Sequence, residues 1–376
     1  MVLKTIRRVL SVCFLVSILA AKGLSRIHGS EYARKTVKNE YGDTYDCIDF
    51  YKQPAFDHPL LKNHSFHPQM RPTFQPQTIR NNDISWERNA TATDIPLLKD
   101  GGCPQGTVPV RRMNKSGGIS KAKISNTTNE VISASGTMFA ISQTNTNMWK
   151  FYNGVGAIMS VYNPRALASQ YSSAEIILKG GTDSIIAGWT VNPQKYRDTK
   201  TRFFAYAAAG DMHCFNSDCG FVQVRTDLPL DFVLKPVSKR RGKIYVNKFF
   251  IYRDPTRGVW WLQVGMKMPP ITLGFWPQHI FKGLQEPATY AACGGEVSTP
   301  ASLPPPEMGT GYMPQFGVDD ASFCREFVVV DDKSTIVTAD NTEAYANNDA
   351  YVVFDQYHRP SHYVLFGGPT PGSQDK

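Results

Sequence analysis

The sequence predicts an all-β fold, an antiparallel, jelly-roll-like β-sandwich of two packed sheets that follows a smaller proline-rich segment. Aromatic residues make up 12% of the chain, and 29 glycines and 25 prolines supply turns, a composition that favours many short strands. Hydrophobic residues make up 41% and charged residues only 19%, so the chain can bury a core and is not of a disordered type. The sequence shows no long amphipathic helical pattern and no internal repeat.

The first residues have the pattern of a secretory signal peptide. Lys4, Arg7 and Arg8 precede an apolar run over residues 9–21, and the small residues before and at Gly23 predict cleavage there. The apolar run is too short to cross a bilayer comfortably. We therefore expect residues 1–23 to be removed, and the mature protein to be extracellular, in the apoplast or cell wall, with no membrane segment.

Cysteine usage agrees with an oxidising compartment. Cys13 lies in the leader, and an even number of cysteines follows it, which suggests disulfides. The six are Cys47, Cys103, Cys214, Cys219, Cys293 and Cys324. A hairpin disulfide fits the short Cys214–Cys219 spacing better than a zinc site with His213, because no second cysteine pair has zinc spacing. We expect no metal and no cofactor.

Residues 24–112 differ from the rest of the chain in their density of proline and histidine, which excludes a long helix. A bridge between Cys47 and Cys103 would close this pro-segment and contribute about 4 kcal/mol by loop-closure entropy. Charging of His58, His64 and His67 in acid would loosen it, unless these histidines are simply surface residues. Glycosylation sequons fall only in the first part of the chain, at Asn63, Asn89, Asn114 and Asn126.

Residues 113–136 have the composition of a linker, rich in Asn, Ser, Gly, Lys and Thr. Residues 137–376 then read as a succession of strands with alternating faces. In the run 259–264, for example, Trp260, Leu262 and Val264 share one face. Further strands are expected at residues 220–225, 243–252 and 325–331, with turns at 180–183 and 253–258.

The formal charge of +9 raises affinity for polyanions in general. The basic residues are mostly scattered, which indicates a solvated surface or, as the alternative, retention on acidic wall polysaccharide. No nucleic-acid-binding module, phosphate-binding loop, dinucleotide motif or Gly-x-Ser-x-Gly elbow occurs. We therefore expect no nucleic-acid partner, and we expect a monomer.

Several segments of the chain resemble the neprosin family of plant secreted proteins. In the pro-segment, Tyr45–His64 and Cys103–Arg112 look like the activation peptide of that family. In the second unit the similar segments are Val161–Pro164, Ala187–Trp189, Cys219–Gln223, Trp260–Gln263, Gly274–Pro277, Gly294–Glu296 and Phe366–Pro369.

The resemblance implies two antiparallel sheets with a cleft on one face, in which active members use two glutamates as glutamic peptidases. They cut after proline at acidic pH and are held inactive by the pro-segment. Glu296 matches the glutamate of the Gly-Gly-Glu segment, and Trp189, Gly294 and Gly295 become cleft candidates. Cys293, three residues before Glu296, would pair with Cys324 and brace the cleft wall, unless both are buried free thiols.

The second family glutamate precedes Ala-Gly-Trp, where this chain has Ile186. Peptide hydrolysis by this route needs one ionised and one protonated carboxyl, and loss of one partner costs about 10² to 10⁴ in rate. Asp183 is a poor substitute, because an odd offset along a strand points to the opposite face. We therefore expect a weak or inactive glutamic peptidase that binds a proline-containing peptide or a cell-wall component.

Two alternatives stay open from the sequence. The protein is an active acid endopeptidase if another carboxyl lies close to Glu296. It is a non-enzymatic glycan- or peptide-binding β-sandwich if exposed aromatic residues form a platform.

Overall fold

The computed structural model describes residues 33–78, 90–112, 136–145, 150–218, 220–317, 319–358 and 361–369. The predicted signal peptide, residues 113–135 of the predicted linker, the sequons at Asn89, Asn114 and Asn126, and Cys219 lie outside these residues. Asn63 is described and is exposed. Within the described residues, no helix is both long and apolar enough to cross a bilayer.

The pro-segment contains five short strands and three single-turn 3-10 helices. The strands are β1 Ala33–Lys38, β2 Thr44–Asp49, β3 Gln77–Thr78, β4 Ala90–Ala92 and β5 Thr107–Arg111. The 3-10 helices are Phe50–Lys52, Pro54–Asp57 and Pro59–Leu61. Proline begins the second and third of them, where its missing N–H costs nothing, and it prevents a longer helix.

The second unit is built almost entirely of strands. They are β6 Thr137–Thr144, β7 Gly154–Ser160, β8 Tyr171–Gly180, β9 Asp183–Val191, β10 Arg202–Ala209, β11 Met212–Phe215, β12 Val222–Gln223, β13 Ile244–Asp254, β14 Val259–Val264, β15 Ile271–Pro277, β16 Tyr290–Ser298, β17 Ser322–Val330, β18 Thr335–Thr338, β19 Thr342–Ala346, β20 Val352–His358 and β21 Ser361–Gly367. A short α-helix, Pro193–Tyr196, and 3-10 turns at Gln278–Ile280 and Pro314–Phe316 interrupt them.

These strands form two large sheets, which confirms the predicted β-sandwich. The seven-stranded sheet has the order β11-β10-β9-β8-β16-β6-β19 and is antiparallel throughout. The eleven-stranded sheet has the path β12-β15-β14-β13-β7-β17-β18-β3, with β21 and β20 joined to β17 and β4 joined to β13. Only the pro-segment strands β3 and β4 pair in parallel.

The core fills the space between the inner faces of the two sheets. Alternation along each strand supplies it, so Trp260, Leu262 and Val264 lie in the core while Trp261 faces the other way. Trp189 and Phe203 meet them from the seven-stranded sheet. A disulfide between Cys293 on β16 and Cys324 on β17 ties the two sheets together, as expected from the sequence.

The pro-segment forms a third layer over the outer face of the eleven-stranded sheet. Its Phe50 and Met70 pack in one buried cluster with Trp261 and Phe275 of the sheet. The Thr73 hydroxyl donates to Asp254 at 2.7 Å. The predicted Cys47–Cys103 disulfide closes the segment.

A buried ionic cluster joins the pro-segment to the β10 end of the seven-stranded sheet. The Arg202 guanidinium is completely buried and donates to Asp43 of the pro-segment at 2.8 Å and to Asp198 at 2.5 Å. Arg111 of the pro-segment donates to the same Asp43 carboxylate at 2.8 Å. Because each charged side chain of the cluster has a partner of opposite charge, the cluster fixes the position of the pro-segment relative to the sheet.

Candidate active site

Two glutamates share the outer face of the seven-stranded sheet. In the ladder between β8 and β16, Ser173 pairs with Glu296 and Glu175 pairs with Gly294. Side chains two residues apart on a strand point to the same face, so Glu175 and Glu296 are diagonal neighbours on adjacent strands. We call this surface the carboxylate face.

The two carboxyl groups are in contact. Glu175 is only 2% exposed and its carboxyl makes a hydrogen bond with that of Glu296. Burial, and after it the charge and hydrogen bond of Glu296, raise the pKa of Glu175 well above its usual range. Glu175 therefore keeps its proton to a higher pH than an ordinary glutamate.

Glu296 is the more accessible member of the pair. It is partly exposed, and its Oε1 accepts a hydrogen bond from the hydroxyl of Tyr171 at the start of β8. Burial and the neighbouring Glu296 raise the pKa of Tyr171 well above its usual value. Tyr171 therefore remains a donor, and its hydrogen bond orients the carboxyl of Glu296.

Both cross-strand partners of Glu175 are glycines, because the backbone of a neighbouring strand lies too close at these positions for a side chain. A Cβ on Gly188, the β9 partner of Glu175, would lie 2.0 Å from the Ala174 carbonyl oxygen. A Cβ on Gly294 would lie 2.4 Å from the Ala140 carbonyl oxygen. The positions on either side of Glu175 thus carry no side chain, which lets the neighbouring strands approach closely around its buried carboxyl.

Ile186 lies on the carboxylate face, but it does not leave Glu296 without a carboxyl partner. It pairs with Ile177 of β8 and packs in an apolar cluster with Phe139, Ile141 and Ala292. The expectation of a single isolated glutamate is therefore wrong, because the second carboxyl comes from β8, one strand away from Ile186. Glu175 was missed because the motif Ala-Gly-Trp directed attention to β9 alone.

Two of the other predicted cleft residues face the core instead. Trp189 alternates with Gly188, is completely buried between the sheets, and its indole N–H donates to the Ser160 carbonyl at 2.9 Å. A Cβ on Gly295 would lie 2.5 Å from the sulfur of Met308 in the same core. Both corrections follow from the period of two along a strand, and Gly294 alone of the three lies on the carboxylate face.

Asp183 has a structural role, as its offset from Ile186 suggested. Its Oδ2 accepts the backbone N–H groups of Lys282 at 2.7 Å and Gly283 at 2.6 Å. The carboxylate thereby fastens the loop that precedes β16 to the β8–β9 turn, and it has no part in the pair.

Tyr206 borders the pair on the side of β10. Tyr206 on β10 contacts His213 at 2.8 Å between its hydroxyl and Nδ1. Burial, followed by the charges of Glu296 and Glu175, raises the pKa of Tyr206. The hydroxyl thus stays protonated next to the site. Sequence analysis did not single out Tyr171 or Tyr206, because neither belongs to a recognisable motif.

The described part of the pro-segment lies away from the carboxylate face. Its contacts are with the outer face of the eleven-stranded sheet and with the ionic cluster at Arg202, and none of them involves Glu175 or Glu296. Cys214 at the edge of the seven-stranded sheet is disulfide-bonded, and its predicted partner Cys219 lies outside the described residues.

The described residues contain no group of three or more His, Cys, Asp or Glu side chains placed to hold a metal ion. A surface depression of about 480 Å³, lined by Phe151, Arg253, Glu286 and neighbouring residues, does not include Glu175 or Glu296. The two acids are therefore distinguished by their mutual contact and by the burial of Glu175.

Comparison with known families decides the identity of the chain. The sequence profile described as Neprosin matches residues 168–369, and that of the Neprosin activation peptide matches residues 36–148. The chain belongs to the neprosin family. The neprosin match contains both Glu175 and Glu296, and the activation-peptide match contains most of the segment that covers the eleven-stranded sheet.

The chain is also similar to several solved structures. They include a scytalido-glutamic peptidase with a peptide-based transition-state analogue, at 8% identity and a TM-score of 0.35. SCP-B of the eqolisin family, in complex with the tripeptide Ala-Ile-His, has 7% identity and a TM-score of 0.35. Each match covers 61% of this chain and 98% of the other.

Proposed function

We propose that this neprosin-family protein is a secreted glutamic endopeptidase, active in acid, whose catalytic residues are Glu175 and Glu296. The observation that supports this most strongly is the contact between two carboxyls on one open sheet face, one buried and one partly exposed. The environments of the two acids differ, and that difference assigns an acid and a base.

In the proposed reaction, ionised Glu296 takes a proton from a water molecule as the water oxygen attacks the peptide carbonyl carbon. Glu175 gives its proton to the amide nitrogen, and the carbon–nitrogen bond breaks to release an amine and a carboxylic acid. Glu296 then holds a proton and Glu175 does not. Transfer along the hydrogen bond between them restores the starting state.

This scheme predicts that the rate passes through a maximum as the pH changes. The pair works only while it holds one proton, so activity falls at high pH when that proton is lost. It also falls in strong acid, when both carboxyls are protonated. The raised pKa of Glu175 extends the upper limit beyond the range of an ordinary glutamate.

The family resemblance points to cleavage after proline, and the apolar floor beside the pair is compatible with that residue. Ile186, which is partly exposed, forms this floor over the buried Ile177 and Ala292. A proline ring is compact and apolar, so it can pack on Ile186 without leaving a hydrogen-bond donor unpaired. We propose a proline-containing peptide as the substrate.

The described tryptophans do not support glycan binding by stacking. Trp189, Trp260, Trp261 and Trp276 are all buried, with at most 1% of their surface exposed. Stacking on a sugar requires an open ring face, so these four residues form no binding platform.

Cleavage-site mapping tests the proposal. The full-length secreted protein, after any natural processing, is incubated with an unfolded proline-rich protein at about pH 3 to 6, and the products are identified by mass spectrometry. We expect new carboxyl ends at proline, and none with Glu296→Gln. Cleavage without preference for proline would contradict the specificity, and absence of cleavage would contradict the activity.

A further inference from the structure

A lysine lies on the carboxylate face beyond the apolar floor. Lys179 is four residues from Glu175 on β8, so the two Cα atoms are about 13 Å apart on the same face. Ile177 lies between them, with Ile186 and Ala292 as its partners on β9 and β16. Acids, apolar floor and lysine thus follow one another in a line along one strand.

The position of Lys179 is well defined. Its ammonium nitrogen lies 4.8 Å from the centre of the Tyr290 ring, on the partner position of β16. The Tyr290 hydroxyl in turn donates to Gln143 at 2.9 Å, which holds the ring in place. The ring attracts the ammonium group and so fixes its position, while the N–H groups that point away from the ring stay available to donate hydrogen bonds.

The charge of Lys179 lacks a paired carboxylate. None of the ion pairs formed by described residues includes it, although Glu175 and Glu296 act on it over a longer distance. Burial lowers the pKa of Lys179, and those two glutamates oppose the shift. A partly buried ammonium that has only a ring beside it gains free energy when a ligand brings a carboxylate.

We propose that Lys179 is a specificity-determining residue, which binds a carboxylate of the peptide three or four residues from the bond that is cut. The proposal rests on the proposed peptidase function, since the pair fixes where that bond lies. An extended peptide advances about 3.3 Å per residue, so the distance along β8 corresponds to about four residues. The carboxylate comes from an Asp or Glu side chain or from the peptide's own C-terminus.

Binding rather than turnover provides the test. Full-length protein carrying Glu296→Gln is titrated with fluorescent proline-containing peptides at about pH 5.5, where a peptide glutamate is ionised. The peptides differ only by Glu or Gln at each position up to four residues from proline, and by a C-terminal carboxylate or amide. We expect about 10-fold tighter binding for a carboxylate in one register, as for one charged hydrogen bond.

Three variants of Lys179 separate recognition from structure. Lys179→Met should abolish the preference, Lys179→Arg should keep it, and Lys179→Glu should reverse it in favour of lysine-containing peptides. Thermal melting shows which variants fold, and reversal by Lys179→Glu cannot result from misfolding. Equal binding of all peptides by the Lys179 protein would overturn the inference.

The design also distinguishes the inference from the function on which it rests. If the wild-type protein cleaves no peptide but prefers carboxylates through Lys179, the peptidase proposal fails and the carboxylate site stands. If it cleaves peptides with no effect of carboxylates or of Lys179, the carboxylate site is refuted while the peptidase proposal stands.

Discussion

Glu175 and Glu296 lie on adjacent antiparallel strands, displaced by two positions, and share a hydrogen bond on the outer face of the seven-stranded sheet. The second acid of the pair therefore does not depend on the residue before Ala-Gly-Trp. Position 186 carries an isoleucine that packs against Ile177. The sheet brings a carboxyl to Glu296 from the neighbouring strand instead.

Introducing a glutamate at position 186 should not increase the rate of peptide hydrolysis. In Ile186→Glu a third carboxyl would enter an apolar cluster beside the pair, at a cost of about 1 to 3 kcal/mol. We expect kcat/KM for peptide hydrolysis to stay equal or fall, with a lower melting temperature. Ile186→Gln is the control for shape without charge. A large gain in rate specific to the glutamate would show that the motif position, not Glu175, supplies the acid.

Removing the Tyr171 hydroxyl should lower the rate more than it disturbs the fold. Tyr171→Phe deletes the donor that holds the Glu296 carboxyl in place. We expect kcat for peptide hydrolysis to fall by about 10-fold or more, because a carboxyl that is less well oriented acts less often on the attacking water. An unchanged kcat, measured on protein with an unchanged melting temperature, would separate Tyr171 from the mechanism.

Acid should weaken the packing of the pro-segment around His64. Its imidazole stacks on Phe56 at 3.7 Å, its Nδ1 accepts the Phe66 backbone N–H at 3.1 Å, and burial lowers its pKa. A lowered pKa means that the stabilisation is complete above about pH 6.5 and is lost as the pH falls through the folded-state value.

The measurement is the rate of limited proteolysis of the pro-segment between about pH 7 and pH 4. His64→Phe should make that rate less dependent on pH, whereas the exposed His67→Phe should not change it. Asp231 lies 3.4 Å from Arg111 of the ionic cluster, and burial raises its pKa to about 6. This shift acts in the opposite direction, so wild type and variant are compared at each pH. Identical pH dependence of the two proteins would exclude His64 as the sensitive group.

Strand alternation made much of the fold predictable. The run 259–264 coincides with β14, and the faces assigned to its tryptophans are those observed. The turn at residues 180–183 joins β8 to β9, and the pairs Cys47–Cys103 and Cys293–Cys324 form as expected. Local pattern suffices for these features because each depends on neighbouring residues or on a small number of possible partners.

The candidate site was only half predictable. Glu296 stood in a recognisable segment, whereas Glu175 sits in a plain apolar run, Ser-Ala-Glu-Ile-Ile, with no motif around it. Its role depends on the register between β8 and β16, which join residues more than a hundred positions apart. A lone acid in a buried strand was a usable signal, since an ionised carboxyl there needs a partner.

The most direct test of the account is the hydrolysis rate of one proline-containing peptide by Glu175→Gln compared with wild type and with Glu343→Gln. Glu343 is an exposed acid on β19 of the same sheet that contacts Gln143 rather than the pair, so its variant serves as the matched control. We predict a loss of about 10² to 10⁴ in kcat for Glu175→Gln and wild-type activity for Glu343→Gln. Undiminished hydrolysis by folded Glu175→Gln would contradict the assignment of Glu175 as the second catalytic carboxyl.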